Sequence, residues 1–126
     1  MEQWTIMYRP RYRAWFGTCG EALQDEILAH VEVLQTMGPN LGRPRVDHIK
    51  SSTHQNMKEL RVQFQGDPVC ILFAFDPARR AVLLLGGAKT GDDRWYRRNV
   101  PLADQEFTSH LQEMQKDKTK DKEKKR

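Results

Sequence analysis

The stretch from Lys58 to Tyr96, KELRVQFQGDPVCILFAFDPARRAVLLLGGAKTGDDRWY, gathers an arginine, a lysine and a tyrosine around three strand-like segments joined by short turns. In the first segment Leu60, Val62 and Phe64 alternate with Glu59, Arg61 and Gln63, so a period of two puts Arg61 on the face opposite the core. Lys89 follows the third segment, and Tyr96 lies shortly after it. A sheet that presents Arg, Lys and Tyr together suits contact with phosphate and chemistry on it. Among the histidines, His54 just before the KELR strand is best placed for acid–base work; His48 and His110 are weaker, and His30 reads as a helix-surface residue. The segment GGAKTGDD is not a phosphate-binding P-loop, because the required spacing is absent and no helix follows directly.

Each of these residues has a plain structural alternative. Arg61 could be solvated or paired with Glu59, Lys89 a turn lysine, and Tyr96 a packed ring with a free hydroxyl. Lys58 and Glu59 read as ordinary strand-edge charges. Trp95 is a candidate for stacking on a base or a partly buried aromatic.

The charge pattern adds a second line of reasoning. The net charge of +4 lies entirely in residues 116–126, KDKTKDKEKKR, which hold seven Lys/Arg against three Asp/Glu. The remaining body is neutral but polarised. Glu21 to Met37 contains acids and no Lys or Arg, whereas Arg43 to Phe64 and Lys89 to Arg98 are rich in bases. If the two basic stretches meet in space, they make one positive surface suited to a polyanion. The tail is too polar to offset its ordering entropy and is expected to be disordered or a frayed helix end. It would serve as a solvated segment or as an electrostatic arm for RNA or ribosome.

The elements that would position these groups can be read from periodicity. The 126 residues suit one domain, expected over 1–115 with the Lys-rich tail at 116–126. Trp4 to Tyr8 alternates as a short strand ended by Pro10, and Arg11 to Phe16 suits a helical turn. Leu23, Ile27, Val31 and Leu34 make the apolar stripe of a helix from about Gly20 to Met37. Thr18 and Glu21 suggest its capping box, and Gly38-Pro39 its end. Asn40 to Asn56 reads as a polar connection. Gly66-Asp67-Pro68 is expected to turn into an apolar central strand, Val69–Phe75, and Asp76-Pro77 into another, Ala81–Leu85. Pro101 suits the first turn of a closing helix. The expected architecture is α+β, a small antiparallel sheet with helices on one face and an open, concave basic face bearing Arg61. No segment approaches the length of a membrane span, the N-terminus lacks a signal-peptide pattern, and Cys19 and Cys70 are too few for a disulfide framework. A reducing cytoplasm is expected.

The order of elements, with MKELRV (57–62), ILFAFDP (71–77), VLLLGGAK (82–89) and DRWY (93–96), resembles the RelE/ParE superfamily of bacterial toxins, in its HigB-type branch. The resemblance covers about residues 1–115. It implies a RelE-like microbial RNase fold and a ribosome-dependent mRNA endoribonuclease, held inactive by a cognate helix-turn-helix antitoxin of the HigA type. Carried over by position, it implies catalytic roles for Arg61, Lys89 and Tyr96. Cleavage by an internal 2′-hydroxyl needs a base, an acid and cations for the charge building on phosphorus. Arg61 binds phosphate oxygens with a planar fork and keeps its proton. Lys89 stabilises charge or, with a lowered pKa, moves protons. Tyr96 shares the proton transfers or stacks on a base. RNA contacts are expected from Lys50, His54, Lys58, Arg94, Trp95, Arg97 and Arg98. Many relatives carry an arginine just before the central strand, where this chain has Cys70.

No cofactor is expected. The histidines lack ligand spacing, the cysteines are far apart, and attack by a 2′-hydroxyl needs no metal. The expected partners are the antitoxin, the ribosome and mRNA, and no membrane. Two other readings stay open: a non-catalytic toxin of the same fold that inhibits DNA gyrase, and an inactive phage-derived relative.

Overall fold

A computed structural model describes the backbone of residues 3–124 and the side chains as far as residue 118. The elements run β1 (Thr5–Tyr8), α1 (Pro10–Thr18), α2 (Glu21–Met37), β2 (Val46–His48), β3 (Lys58–Phe64), β4 (Asp67–Phe75), β5 (Arg80–Ala88) and α3 (Trp95–Lys124). The five strands form one sheet in the order β1-β5-β4-β3-β2. All its ladders are antiparallel except β1 with β5, which is parallel. The α+β architecture expected from the sequence is therefore present.

Strand alternation sorts the side chains into two cores, one on each face of the sheet. Leu60, Val62, Val69, Ile71, Phe73, Ala81 and Leu83 face α1 and α2, where Tyr12, Ile27, Val31 and Leu34 meet them. Cys70, Leu72, Ala74, Val82 and Leu84 face the other way, against Trp95, Val100, Ala103 and Phe107 of α3. This corrects the expectation that helices occupy one face only. The correction follows from where α3 begins. It starts at Trp95 and not at Pro101, which sits inside the helix. The earlier start brings Trp95 and Val100 over the sheet, and both are buried.

Polar contacts fasten α3 along its length. Asp104 accepts from Ser52 Oγ at 2.5 Å, Glu106 pairs with Arg9 at 3.0 Å, and Thr108 Oγ1 lies 2.9 Å from His54 Nε2. Deepest is Asp76, which accepts from His110 and from the Arg80 side chain, each at 2.8 Å. Burial alone would push the Asp76 carboxyl up, but these bonds and the Arg80 N–H leave it below the usual value. The segment expected as a disordered or frayed tail continues as helix to Lys124, and residues 125 and 126 lie outside the described residues.

Several local details differ from the sequence expectation. Thr18 does not cap α2. Its hydroxyl donates to the Trp15 carbonyl at 2.6 Å, closing α1, and Gly20 is the capping residue of α2. The connection Asn40–Asn56 contains a short strand, β2, paired with β3. The first hairpin turns at Gln65-Gly66, both with positive φ, because Phe64 pairs with Asp67 and leaves a two-residue loop of the favoured twist. Asp67 and Pro68 thus belong to β4. A bulge between β4 and β5 pairs Leu72 with Leu85 but Phe73 with Leu83. The extra residue reverses the alternation in β5, so Gly87 and the position of Lys89 fall on the α3 face.

Gly38 ends α2 as expected, at φ 57°, with its N–H donating to the Leu34 carbonyl. A Cβ there would lie 2.1 Å from Trp4 Nε1. Gly38→Ala should therefore cost about 2–4 kcal/mol, combining left-handed backbone strain with overpacking. Gly17, in α1 with open space around it, should instead gain about 0.5–1 kcal/mol on change to alanine. Urea unfolding of the two variants checks both signs.

Candidate active site

The site grows from two neighbouring residues of β3 that share a face. Glu59 is buried at 2% exposure, and Arg61 beside it stays open to solvent. Cross-strand register places Cys70 opposite Arg61 and Gly87 opposite Cys70. Because Gly87 has no side chain, the Trp95 indole lies against it, with Nε1 2.6 Å from where a Cβ would stand. That contact seats the first turn of α3 and presents the next residue, Tyr96, to Glu59.

A continuous chain of hydrogen bonds results. Lys89 Nζ donates to the Tyr96 hydroxyl at 2.5 Å, and that hydroxyl donates to Glu59 Oε2 at 2.5 Å. The other Glu59 oxygen accepts from Arg61 Nε at 2.8 Å. The Cys70 thiol also donates to Oε2, at 3.3 Å. Arg61 Nη2 reaches Asp47 of β2 at 3.2 Å, and Asp47 in turn pairs with Arg43. A cavity of about 240 Å³ lies beside Arg61 and Lys89.

The electrostatics follow from this packing. Burial pushes the Tyr96 phenol above its ordinary value, and the bond to Glu59 adds to the effect by stabilising the protonated form. Burial, then the charge of Glu59, likewise pushes the Cys70 thiol up, so it is a neutral donor and not a thiolate. The bond to Glu59 holds the Arg61 guanidinium further up. Asp47 is held down first by the His48 N–H and then by Arg43 and Arg61.

Arg61, Lys89 and Tyr96 are thus brought together as the sequence suggested. The residue missed was Glu59, read as an ordinary strand-edge charge. Its position two residues from Arg61 on an alternating strand was the available signal. The residues expected to bind RNA divide. Lys50 is exposed after β2, and Arg94, Arg97 and Arg98 are exposed on the approach to and first turn of α3, with Arg98 paired to Asp92. Trp95 is buried in the α3 core, so its ring is not open to a base. Lys58 shares the face of Leu60, and its Nζ sits 5.3 Å over the Phe75 ring. His54 contacts Thr108 and stands edge-on to Phe107, away from the Glu59 network. His110 is enclosed with Asp76.

The raised phenol gives a titration test. A group protonated more strongly when folded stabilises the fold fully below its unfolded value, near about 10 for tyrosine. That stability is lost as pH rises through the folded value. Absorbance titration should show two phenols that ionise later than a free tyrosine, that of Tyr12, raised by burial, and that of Tyr96, the latter absent in Tyr96→Phe. In Glu59→Gln the Tyr96 midpoint should fall, because the charge opposing ionisation is gone.

Comparison with known proteins agrees with this architecture. Residues 14–108 match the family model described as phage derived protein Gp49-like (DUF891). A Mycobacterium tuberculosis chain named as toxin HigB3 is 46% identical over 107 residues, which is 84% of this chain and 92% of that one. A second, named as toxin HigB2, is 43% identical over 112 residues, 87% of this chain and 56% of the longer relative. An arginine-to-alanine double variant of the E. coli toxin RelE in the free state shares the fold, with a TM-score of 0.53 at 4% identity over 72% of this chain and 88% of that one. The likeness to RelE is one of fold; by its family model and its relatives the chain belongs to the Gp49-like family and groups with the HigB-type toxins.

Proposed function

We propose that the chain is the toxin of a type II toxin–antitoxin pair and that it cuts mRNA on the ribosome through attack of the 2′-hydroxyl on the adjacent phosphodiester. The observation that carries this reading is the unbroken chain Lys89–Tyr96–Glu59–Arg61 on one face of the sheet. Arg61 holds the phosphate and balances the charge that develops on it in the transition state. The Tyr96 oxygen accepts one proton and donates another, so it can take the 2′-hydroxyl proton while passing its own to Glu59. Lys89, a charged donor beside that oxygen, protonates the departing 5′-oxygen. Lys50, Arg94, Arg97 and Arg98 supply the exposed positive surface for the RNA backbone. Lys58, His54 and Trp95 take no part in this reading, because their side chains are engaged elsewhere. The partners are the antitoxin, in this branch of the helix-turn-helix HigA type, and the translating ribosome. The site of action is the cytoplasm.

The absence of a second arginine at Cys70 favours one competitor, a binding toxin of the same fold without catalysis. The two readings separate in a cell-free bacterial translation reaction with mapped mRNA 5′ ends. New ends within codons, present only while ribosomes translate, are expected for the wild-type chain. Arg61→Ala and Lys89→Ala should each lower cleavage by about 10²–10³-fold, and Tyr96→Phe by a similar factor. Cleavage at the wild-type rate in both cation variants would remove this site from consideration. Intact mRNA with the wild-type chain would transfer the case to a gyrase supercoiling assay.

A further inference from the structure

We infer that the groove between the outer edge of β1 and helix α2 is the docking site for an extended, basic segment of a partner protein, which in the reading above is the antitoxin. The inference rests on the toxin–antitoxin reading but uses none of its catalytic residues.

Strand β1 stands at the edge of the sheet and pairs only with β5. The Arg9 N–H donates to the Leu83 carbonyl just past the end of the strand. By alternation, Met7 also points its backbone groups at β5, and those of Ile6 and Tyr8 point outward. The Trp4 N–H just before the strand is taken by the Gln35 carbonyl of α2 at 2.8 Å, so the free edge spans Ile6 and Tyr8, and an edge of this kind is a template for an added strand.

Two cavities lie along that edge, of about 530 and 310 Å³, and they share Tyr8 and Leu28. The first runs between β1 and α2 over Trp4 and Val31. The second is an apolar hollow against Tyr12 and Phe16. Tyr8 and Leu28 are also two of the three large apolar side chains that the described residues expose, at 37% and 48%. The Tyr12 hydroxyl is buried with no hydrogen-bond partner, the one such side-chain atom among the described residues. A buried hydroxyl left unpaired is costly.

Charge selects the occupant. Glu32 lines the groove, and Glu21, Asp25 and Glu32 fall on the same helical stripe as Leu28. No Lys or Arg occurs from Glu21 to Met37, and Glu26 is already beside His30. Arg13, stacked on Tyr8, is the one cation lining either cavity. The matching segment alternates apolar residues with Lys or Arg. It lies on the α1–α2 side, whereas Arg61, Lys89 and Tyr96 lie on the α3 face. Binding there leaves the candidate active site uncovered.

The test uses the full chain and the antitoxin encoded in the same operon, with Leu28→Glu and Glu32→Lys, both at exposed positions of α2. Calorimetric titration should show the dissociation constant rising at least about tenfold in each, while Arg61→Ala binds like wild type. Amide exchange should slow at Ile6 and Tyr8 in the complex. Both α2 variants should retain mRNA cleavage and escape neutralisation. The inference is overturned if they bind as tightly as wild type. It is also overturned if protection appears at Lys89 to Arg98 with Ile6 and Tyr8 unchanged, or if the wild-type chain does not bind the antitoxin. Normal binding through the groove by a wild-type chain that leaves mRNA intact upholds the groove and refutes the nuclease reading alone.

Discussion

A buried carboxylate organises this end of the molecule. Glu59 is almost wholly removed from water, and an ionised side chain in that position is tolerable only when its oxygens are paired and hydrogen-bonded. One partner comes from its own strand, one from the neighbouring strand and one from α3. Three separate parts of the chain must therefore converge before the charge is accommodated. The requirement explains why α3 begins at Trp95. A helix starting at Pro101 would leave Tyr96 in a loop, with no fixed angle of approach to the carboxylate.

The convergence depends on two small features of β5. The bulge opposite Leu72 and Phe73 reverses which residues face α3. Without it, continued alternation from Ala81 and Leu83 would send Lys89 to the α1–α2 side. Gly87 then removes a side chain where the Trp95 ring must lie. Lys89 and Tyr96 consequently reach each other from either side of a short loop. The far half of α3 is fixed by a different means, since His110 and Asp76 form a second enclosed polar contact near the β4–β5 turn. Held at two buried points, the helix cannot shift without breaking one of them.

Much of this was legible in the sequence, and the exceptions have physical causes. The β3 alternation, the apolar run of β4 and the α2 stripe are long, regular signals, and each element lies where its periodicity placed it. Boundaries moved where a local rule competed with a tertiary contact. Pro101 resembles a helix start, yet the six residues before it are helical because Trp95 gains a buried site against Gly87. Thr18 has the spacing of a capping box, but its hydroxyl finds the nearer Trp15 carbonyl. The β2 strand is only three residues long, too short for a period to show. Glu59 was overlooked because a charged residue on the polar face of a strand is normally solvated. Only the arrival of α3 over that face, which a sequence does not display, turns it into a buried centre.

The cysteine at position 70 fits the same electrostatic logic. Its neutral thiol donates to Glu59 and carries no charge toward the cavity. An arginine at that position would compete with Arg61 for the same carboxylate. With cysteine there, Arg61 keeps its Nε on Glu59 and its Nη2 on Asp47, so its fork is held at two points in one orientation. Counting Arg43, Arg61 and Lys89 against Glu59 and Asp47, the cluster retains one net positive charge, carried toward the side where Arg61 is open. A phosphodiester also carries one negative charge. On the proposed nuclease reading, a guanidinium fixed in this way matters more for a transition state than for the ground state, because pre-set donors need no reorganisation as charge builds.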